Sequence, residues 1–507
     1  MKKIILIIFG IFMVNSIVAQ NKSGNTWLFG LAQAVKASFT DTSRPTISLC
    51  PANGTVYFWQ GHSNICDSAT GKVLFACNGM VLYDSNCVKM DNGDSLVPVN
   101  AYTHNAFPVG MHTQNSIILP KGNTGLYYVF IFTVSDSTYN SLWVTGTSKA
   151  PYDLLRYNIV DINQNGGLGK VIEKNKILLH GVELHKTMMQ ACRHSNGVDW
   201  WLLKQGRYDE NEIIRFLVTK DSISGPFTQS FAEPAYTPWD LTGQYAFSAD
   251  GTKLAAVQQK NQTLFLADFD RCTGELSNPK VIPIPIDSTT IPNAQPQYIM
   301  DSLLQGVCFS PNDNYIYITR RWNIYQFEHN EPDSALAWYR VQHGADTAWL
   351  PFQYYSSMNL GIDKRIYIGN WAGQFKQMSV IDKPDIKGAG CQFCRKCFRL
   401  DDTTQMAFGA PPTIPDFNLG ASGQVCWPLS SNEIRDVRYE MVEVYPNPSN
   451  YKIKVQSIKY KDATKQLYNS IGQLMLSTQK NEIDVSRYSK GVYYLRCGII
   501  TRKVIIE

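Results

Sequence analysis

Phe247-Ser248-Ala249-Asp250-Gly251-Thr252-Lys253-Leu254 and Phe309-Ser310-Pro311-Asn312-Asp313-Asn314-Tyr315-Ile316-Tyr317 are two copies of one phrase. Each runs from an apolar strand end through a polar turn into a second apolar strand, and the turn residues suit the φ > 0 positions of a hairpin. Worked outward, the phrase recurs over residues 65–75 around Asp67-Ser68-Ala69-Thr70-Gly71 and over 116–130 around Lys121-Gly122-Asn123. It returns over 188–203 around Ser195-Asn196-Gly197 and over 360–368 around Asp363-Lys364. Six units thus follow one another at roughly 50 to 70 residues, a spacing suited to four-stranded blades with loops. A second repeat marks outer strands: residues 154–161 followed by Asn165-Gly166-Gly167-Leu168-Gly169 parallel 264–270 followed by Thr273-Gly274-Glu275-Leu276. Long helical periodicity is missing. The expected fold is all-β, a six- or seven-bladed β-propeller followed by a small Ig-like β-sandwich, with an array of β-sandwiches as the competitor. The count favours six blades, and a seventh fits in the interval 116–188 or the N-terminal segment. A closed ring requires the strand at Trp27-Leu28-Phe29-Gly30 to abut the last unit, near 360–381, or the segment ending at Phe417.

Composition supports a folded, exported chain. Of 507 residues 44% are hydrophobic and 12% aromatic, enough for extensive cores and against disorder over most of the length. The formal charge of +5 is concentrated at the ends: Lys2 and Lys3 lie in a leader, and residues 440–507 carry eleven Lys/Arg against six Asp/Glu. The central chain is left near −2, so it lacks the basic stripe of a nucleic-acid binder. Lys2 and Lys3 precede an apolar run over residues 4–14, short for a bilayer span, and Asn15, Ser16 and Ala19 follow. Residues 1–19 therefore read as a signal peptide cleaved after Ala19. No second hydrophobic block follows, so no transmembrane segment is expected in the mature chain. The remaining map is 20–430 for the propeller, 431–440 for a linker and 441–507 for the terminal module. That module opens with Glu443-Val444-Tyr445-Pro446-Asn447-Pro448-Ser449, turns at Asn469-Ser470-Ile471-Gly472 and Lys490-Gly491, and closes on Arg502-Lys503-Val504-Ile505-Ile506.

Twelve cysteines in an exported chain fit an oxidising compartment. Cys391, Cys394 and Cys397 have CxxC spacing twice, and with Cys426 they offer four thiolates to a structural zinc. An oxidising exterior favours disulfides instead, so these four are candidate disulfide partners. Cys66 and Cys77, flanking a hairpin turn, are the next candidate pair. No metal or cofactor is expected: the eight histidines form no HExxH, and neither a G-x-S-x-G elbow nor a phosphate loop is present. Asp161-Ile162-Asn163-Gln164-Asn165-Gly166 mimics the start of a calcium loop, but its twelfth position is Ile172 with Glu173 one residue late, which favours a turn. Aromatic clusters give the only ligand clue. Trp59 with His62, Trp200-Trp201 and Arg321-Trp322 form a candidate ligand face, since rings stack on sugars or peptides and Arg clamps carboxylates. Packing between blades uses the same residue types.

The central chain resembles a family of exported Bacteroidetes β-propellers found in surface proteins. The resemblance covers about 390 residues, from Trp27-Leu28-Phe29-Gly30 through residues 65–75, Asn78-Gly79-Met80-Val81-Leu82-Tyr83-Asp84, Met90-Asp91-Asn92-Gly93, residues 156–169 and 247–254 to Ile414-Pro415-Asp416-Phe417, where the family closes with Leu-Pro-Asn-Phe. The cysteine cluster near Cys394 departs from the family. The terminal module resembles the type A C-terminal sorting domain of the type IX secretion system. Tyr445, Pro446, Asn447 and Pro448, Leu467-Tyr468-Asn469 with Gly472, Ile483-Asp484-Val485-Ser486, Gly491 and Tyr493, and the tail from Lys503 carry that match, with Asn469 where many members have Asp. This resemblance implies recognition by the type IX translocon, removal of the module, and release or attachment at the cell surface.

Three functions compete. The first is a non-catalytic binding or adhesion module, secreted or on the cell surface, with a glycan or protein as extracellular ligand. The alternative is a propeller hydrolase or lyase acting on a polymer, which needs carboxylates or histidines converging on the channel, and the inner-strand runs offer mainly Ser, Gln, Asn and apolar residues. A scaffold in an envelope assembly is the third.

Overall fold

The computed structural model describes residues 20–40, 43–50, 56–98, 112–145, 152–206, 211–231, 242–258, 262–285, 304–342, 355–370, 376–400, 410–424, 426, 442–457, 463–470, 472–497 and 500–507. The expected leader and the linker 431–440 lie outside these residues.

Among the described residues, seven sheets of three or four antiparallel strands succeed one another before the terminal module, with a two-stranded ribbon (Leu31–Ala32 and Val56–Tyr57) between the first and second. Blade one is Thr26–Phe29, Val35–Ser38 and Thr46–Leu49; blade two is Ser63–Cys66, Val73–Cys77 and Leu82–Asp84. Blade three is Ser116–Pro120, Leu126–Thr133, Tyr152–Asp161 and Lys170–Leu184; blade four is Met189–Arg193, Trp200–Gln205, Glu212–Val218 and Ile223–Ser230. Blade five is Tyr245–Phe247, Lys253–Gln258, Thr263–Phe269 and Leu276–Pro283, and blade six is Leu304–Phe309, Tyr315–Arg320, Asn323–Glu328 and Trp338–Gln342. Blade seven is Tyr355–Leu360, Ile366–Asn370, Gln377–Ile381 and Phe393–Arg399. The first strand of each blade is innermost and touches the first strand of the next, from blade one to blade seven.

Residues 248–253 and 310–315 form the turns between first and second strands of blades five and six. In blade five Ser248 Oγ donates to Asp250 Oδ1 at 2.6 Å and accepts from Lys253 N at 2.9 Å; in blade six Ser310 Oγ donates to Asn312 Oδ1 at 2.8 Å and accepts from Tyr315 N at 3.0 Å. Gly251 at φ +71° and Asp313 at φ +60° hold the equivalent left-handed position. A Cβ at Gly251 would come within 2.6 Å of the tip of Leu419 and displace it, whereas Asp313 takes the same backbone conformation with a side chain. Asp313 also ties the two blades together, accepting from Ala249 N at 2.6 Å and Asp250 N at 3.1 Å.

The ring closes through side chains. Trp27 and Phe39 of the first blade meet Tyr367 of the seventh edge-on, with centroids 5.5 and 5.4 Å apart, inside one core that also holds Val35, Met378 and Phe398. Above this core Arg44 and Arg365 share Asp382 at 2.6 and 3.0 Å. The N-terminal strand abuts the last blade, as closure requires, and closure removes sheet edges that would otherwise be open to pairing.

Of the cysteines expected in disulfides, Cys394, Cys397 and Cys426 are bonded, and Cys66, Cys77 and Cys391 are not. Cys66 and Cys77 are not joined: the register sets Cys66 opposite Val73 and Cys77 opposite Ser63, at opposite ends of the hairpin. Both are buried, and burial pushes their thiols up to about 12 and about 11. Cys50–Cys87 joins blades one and two, Cys272–Cys426 joins blade five to the segment after blade seven, and Cys394 pairs with Cys397 while Cys391 stays a buried thiol. The turn after Asp161 uses its carboxylate internally, accepting from Asn163 N at 2.9 Å and Gln164 Nε2 at 3.0 Å.

The terminal module is a sandwich. One sheet holds Val442–Tyr445, Lys452–Ser457 and Glu482–Asp484; the other runs Leu474–Thr478, Lys465–Tyr468, Gly491–Cys497 and Ile500–Ile506. Ile453, Leu467, Ile483, Leu495 and Val504 fill the space between them.

Candidate functional site

An innermost strand has one edge bonded to its blade and one facing the channel. Backbone groups on that free edge need partners when water is excluded. Glutamines supply them. Gln114 at the head of blade three donates to Tyr245 O at 2.8 Å and accepts from Tyr245 N at 2.9 Å on blade five. Gln244 of blade five accepts from Val307 N of blade six at 3.3 Å and from Met358 N of blade seven at 3.1 Å, and donates to Met358 O at 2.6 Å. Gln60 reaches from blade two to Asn370 O of blade seven at 3.1 Å. This amide belt was legible only in general terms, as polar inner strands. Its finer signal is a glutamine at or just before the innermost strand of blades two to six: Gln60, Gln114, Gln190, Gln244 and Gln305.

The channel is filled by the chain itself. Residues 410–424 follow the last blade and lie against several inner strands. Thr413 N donates to His62 O of blade two at 2.8 Å, Asn359 Nδ2 of blade seven donates to Pro412 O at 3.0 Å, and Arg193 Nη2 of blade four donates to Phe417 O at 3.2 Å. Phe417, 5% exposed, packs edge-on to Trp200 at 5.6 Å. The far end is fixed by Ser422 N to Ser195 O at 3.0 Å, by a hydrogen bond from Arg271 to Gly420 O, and by the Cys272–Cys426 disulfide.

At the tight-turn end a cavity of about 560 Å³ remains, floored by residues 414–419 of this plug. The size falls within the ~300–1,000 Å³ range of small-ligand sites. Phe247, Phe309, Leu360 and Ile362 form apolar walls, and Gln190, Asn359 and Lys364 contribute polar groups. Asp416 is the one carboxylate among the described lining residues. Asp416 is exposed by surface area, yet desolvation by the protein around it raises its carboxyl, and Asn418 N donates to Oδ1 at 2.8 Å. No group of three or more His, Cys, Asp or Glu placed to hold a metal occurs among the described residues.

The aromatic residues singled out from the sequence are dispersed around the ring. Trp200 and Trp201 are 1% and 0% exposed: Trp200 faces Phe417, with Arg193 stacked 3.9 Å from its ring, and Trp201 donates to Arg271 O at 3.0 Å. Arg321 and Trp322, at the turn between the second and third strands of blade six, are 4% and 9% exposed and stack on each other at 3.9 Å. His62 is wholly buried, its ring nitrogens 2.5 Å from Trp59 O and 2.9 Å from Leu28 O; burial outweighs these carbonyls and lowers it to about 4. Trp59 is half-buried. These side chains do not converge on one exposed face, because the inward positions of a blade consume large rings in packing against the next.

In the terminal module, Asn447 lies between Pro446 and Pro448 and ties down the last strand: Nδ2 donates to Lys503 O and Oδ1 accepts from Ile505 N, both at 2.8 Å. Tyr445 donates to Gln456 Oε1 at 2.8 Å, Tyr493 is buried in the sandwich, Gly472 turns at φ +82°, and Gly491 opens its strand.

Residues 443–507 match the secretion system C-terminal sorting domain. No curated protein matches the chain. Similar solved structures include the periplasmic gluconolactonase PpgL of Pseudomonas aeruginosa, at 13% identity over 95% of this chain and 99% of that one, with a TM-score of 0.37. They also include a putative 6-phosphogluconolactonase of Bacteroides uniformis, at 12% identity over 87% and 98% with a TM-score of 0.34, and Hsv2 of Kluyveromyces lactis, at 8% over 71% and 90% with a TM-score of 0.37. No helix among the described residues is long and apolar enough to cross a membrane. The chain is an exported β-propeller protein bearing a secretion-system C-terminal sorting domain, which marks it for type IX secretion to the cell surface or extracellular space.

Proposed function

We propose that the propeller is a non-catalytic binding or adhesion module acting at or beyond the cell surface, on a glycan or protein. The observation that carries this reading is the occupied channel. Where a propeller enzyme needs converging acids and bases, this one has an amide belt closed over its own residues 410–424. The tight-turn cavity, with apolar walls and few polar groups, is the proposed ligand site. We infer the chain's division as a leader over 1–19, the propeller over 20–430, a linker over 431–440 and the sorting module over 441–507.

The test is to incubate the secreted protein with extracellular polymers prepared from its own cells and their surroundings, scoring co-sedimentation and release of soluble fragments together. Retention on at least one polymer without fragment release is expected, weakened by Phe247→Trp, which narrows the cavity. Fragment release lost in Asp416→Asn would replace it with an enzyme.

A further inference from the structure

Several sequence marks of the sorting module serve its fold. Tyr493 is only 7% exposed, the Asn447 amide is spent on the last strand, and Gly472 makes a turn. These groups offer little for another molecule to touch. An export signal must nevertheless be read, so the informative surface is the one they leave open.

That surface is the outer face of the four-stranded sheet. The register aligns Leu474, Tyr468, Tyr494 and Lys503 across all four strands, while the alternating positions Leu467, Leu495, Tyr493 and Val504 turn inward to the core. Leu474 is 47% exposed, Met475 37% and Tyr494 41%, and Tyr468 is half-buried between them. No Asp or Glu stands in any of the four strands, and Lys503 is exposed at the end of the row. The opposite side of the sandwich also exposes tyrosines, Tyr445 in its sheet and Tyr451 just before the second strand, but it neutralises its own charge: Lys452 pairs with Glu482 at 2.8 Å.

An apolar, aromatic row with a cation at its end and no counter-charge in its own sheet complements an acidic surface with an apolar centre. We propose that the row Leu474, Tyr468, Tyr494 and Lys503 is the surface read by the export machinery, and that the reader is a protein patch of carboxylates around apolar side chains. Tyrosine is suited to the role, since it buries a large rigid area while keeping a polar tip.

The test uses the full chain in a host carrying the type IX system. Leu474→Ser with Tyr494→Ser, and separately Lys503→Glu, should lower the extracellular protein about tenfold and leave it in the periplasm, a loss typical of interface anchors. Lys503→Arg and Tyr451→Ser should export normally. Because the double variant changes two side chains, thermal unfolding of the purified full chain is compared with the parent, and Lys503→Glu, a fully surface change, stands as the independent arm. Normal export of both face variants, or equal loss in Tyr451→Ser, overturns the proposal. So does co-sedimentation of the parent with phosphatidylglycerol-rich vesicles that is lost in step with export, since the reader would then be a lipid.

Discussion

Removing the aromatic contact that closes the ring should reveal that the first and last blades share one core. Trp27 is 1% exposed and Tyr367 is wholly buried; their rings meet edge-on at 5.5 Å, and Phe39 touches both, at 4.6 Å from Trp27 and 5.4 Å from Tyr367. Truncating Trp27 to Ala should cost about 3–5 kcal/mol from lost burial and the cavity left behind. Tyr367→Ala should cost a similar amount, and it also leaves Asp363 without the hydroxyl that binds its carboxylate at 2.7 Å. Because the two rings touch and share a neighbour, the double variant should be less destabilised than the sum, by about 1 kcal/mol or more. Urea unfolding of the chain from Gln20 onward, followed by far-UV circular dichroism, measures all four corners of the cycle. Additivity within about 0.5 kcal/mol would mean that the two blades are independent, and would refute closure in favour of an open array.

Further outcomes follow from the buried groups and the ends. His62 titrates near 4 in the folded chain against 6.5 when exposed, so its contribution is whole above pH 6.5 and is lost as the pH falls towards 4, by roughly 3 kcal/mol; urea midpoints across that range should slope accordingly, less so in His62→Gln, and an unchanged slope would remove His62 as the cause. Cys272→Ser, which frees the plug's far end, should lower stability by roughly 2–5 kcal/mol, checked by urea unfolding without reductant, and an unchanged midpoint would show that the bond does not form. Deleting residues 490–507 removes two of the four strands of the larger sorting-module sheet and should hold the protein in the periplasm; normal surface display would reject the sorting role.

The turns carried the fold because their chemistry is local. Ser248 with Asp250 and Ser310 with Asn312 close the same loop, so the repeat is visible without tertiary information. The first blade escaped the count because the link between its first two strands, Gly30-Leu31-Ala32-Gln33-Ala34, lacks the Ser-led polar turn of the repeated phrase. Trp200 and Trp201 illustrate a deeper ambiguity: a ring buried between blades and a ring offered to a ligand have the same sequence. The Cys272–Cys426 bond joins residues 154 apart and depends on where the plug emerges, which only the ring determines. Ile414-Pro415-Asp416-Phe417 was recognisable as an ending, but its seat in the channel rests on contacts with blades two, four, five and seven that are remote in sequence. The sorting module was more legible, since its Pro, Asn and Gly positions are set by short-range geometry.

The claim on which the functional reading turns is that the channel is closed by residues 410–424. Native-state hydrogen exchange of the secreted protein tests it at two backbone amides, Thr413, which binds His62 O at 2.8 Å, and Ser422, which binds Ser195 O at 3.0 Å. Both should exchange as slowly as the inner-strand amides of Tyr245 and Met358, which the glutamine belt holds. Exchange of Thr413 at the rate of an unprotected peptide would show the channel open to solvent, with residues 410–424 not seated in it.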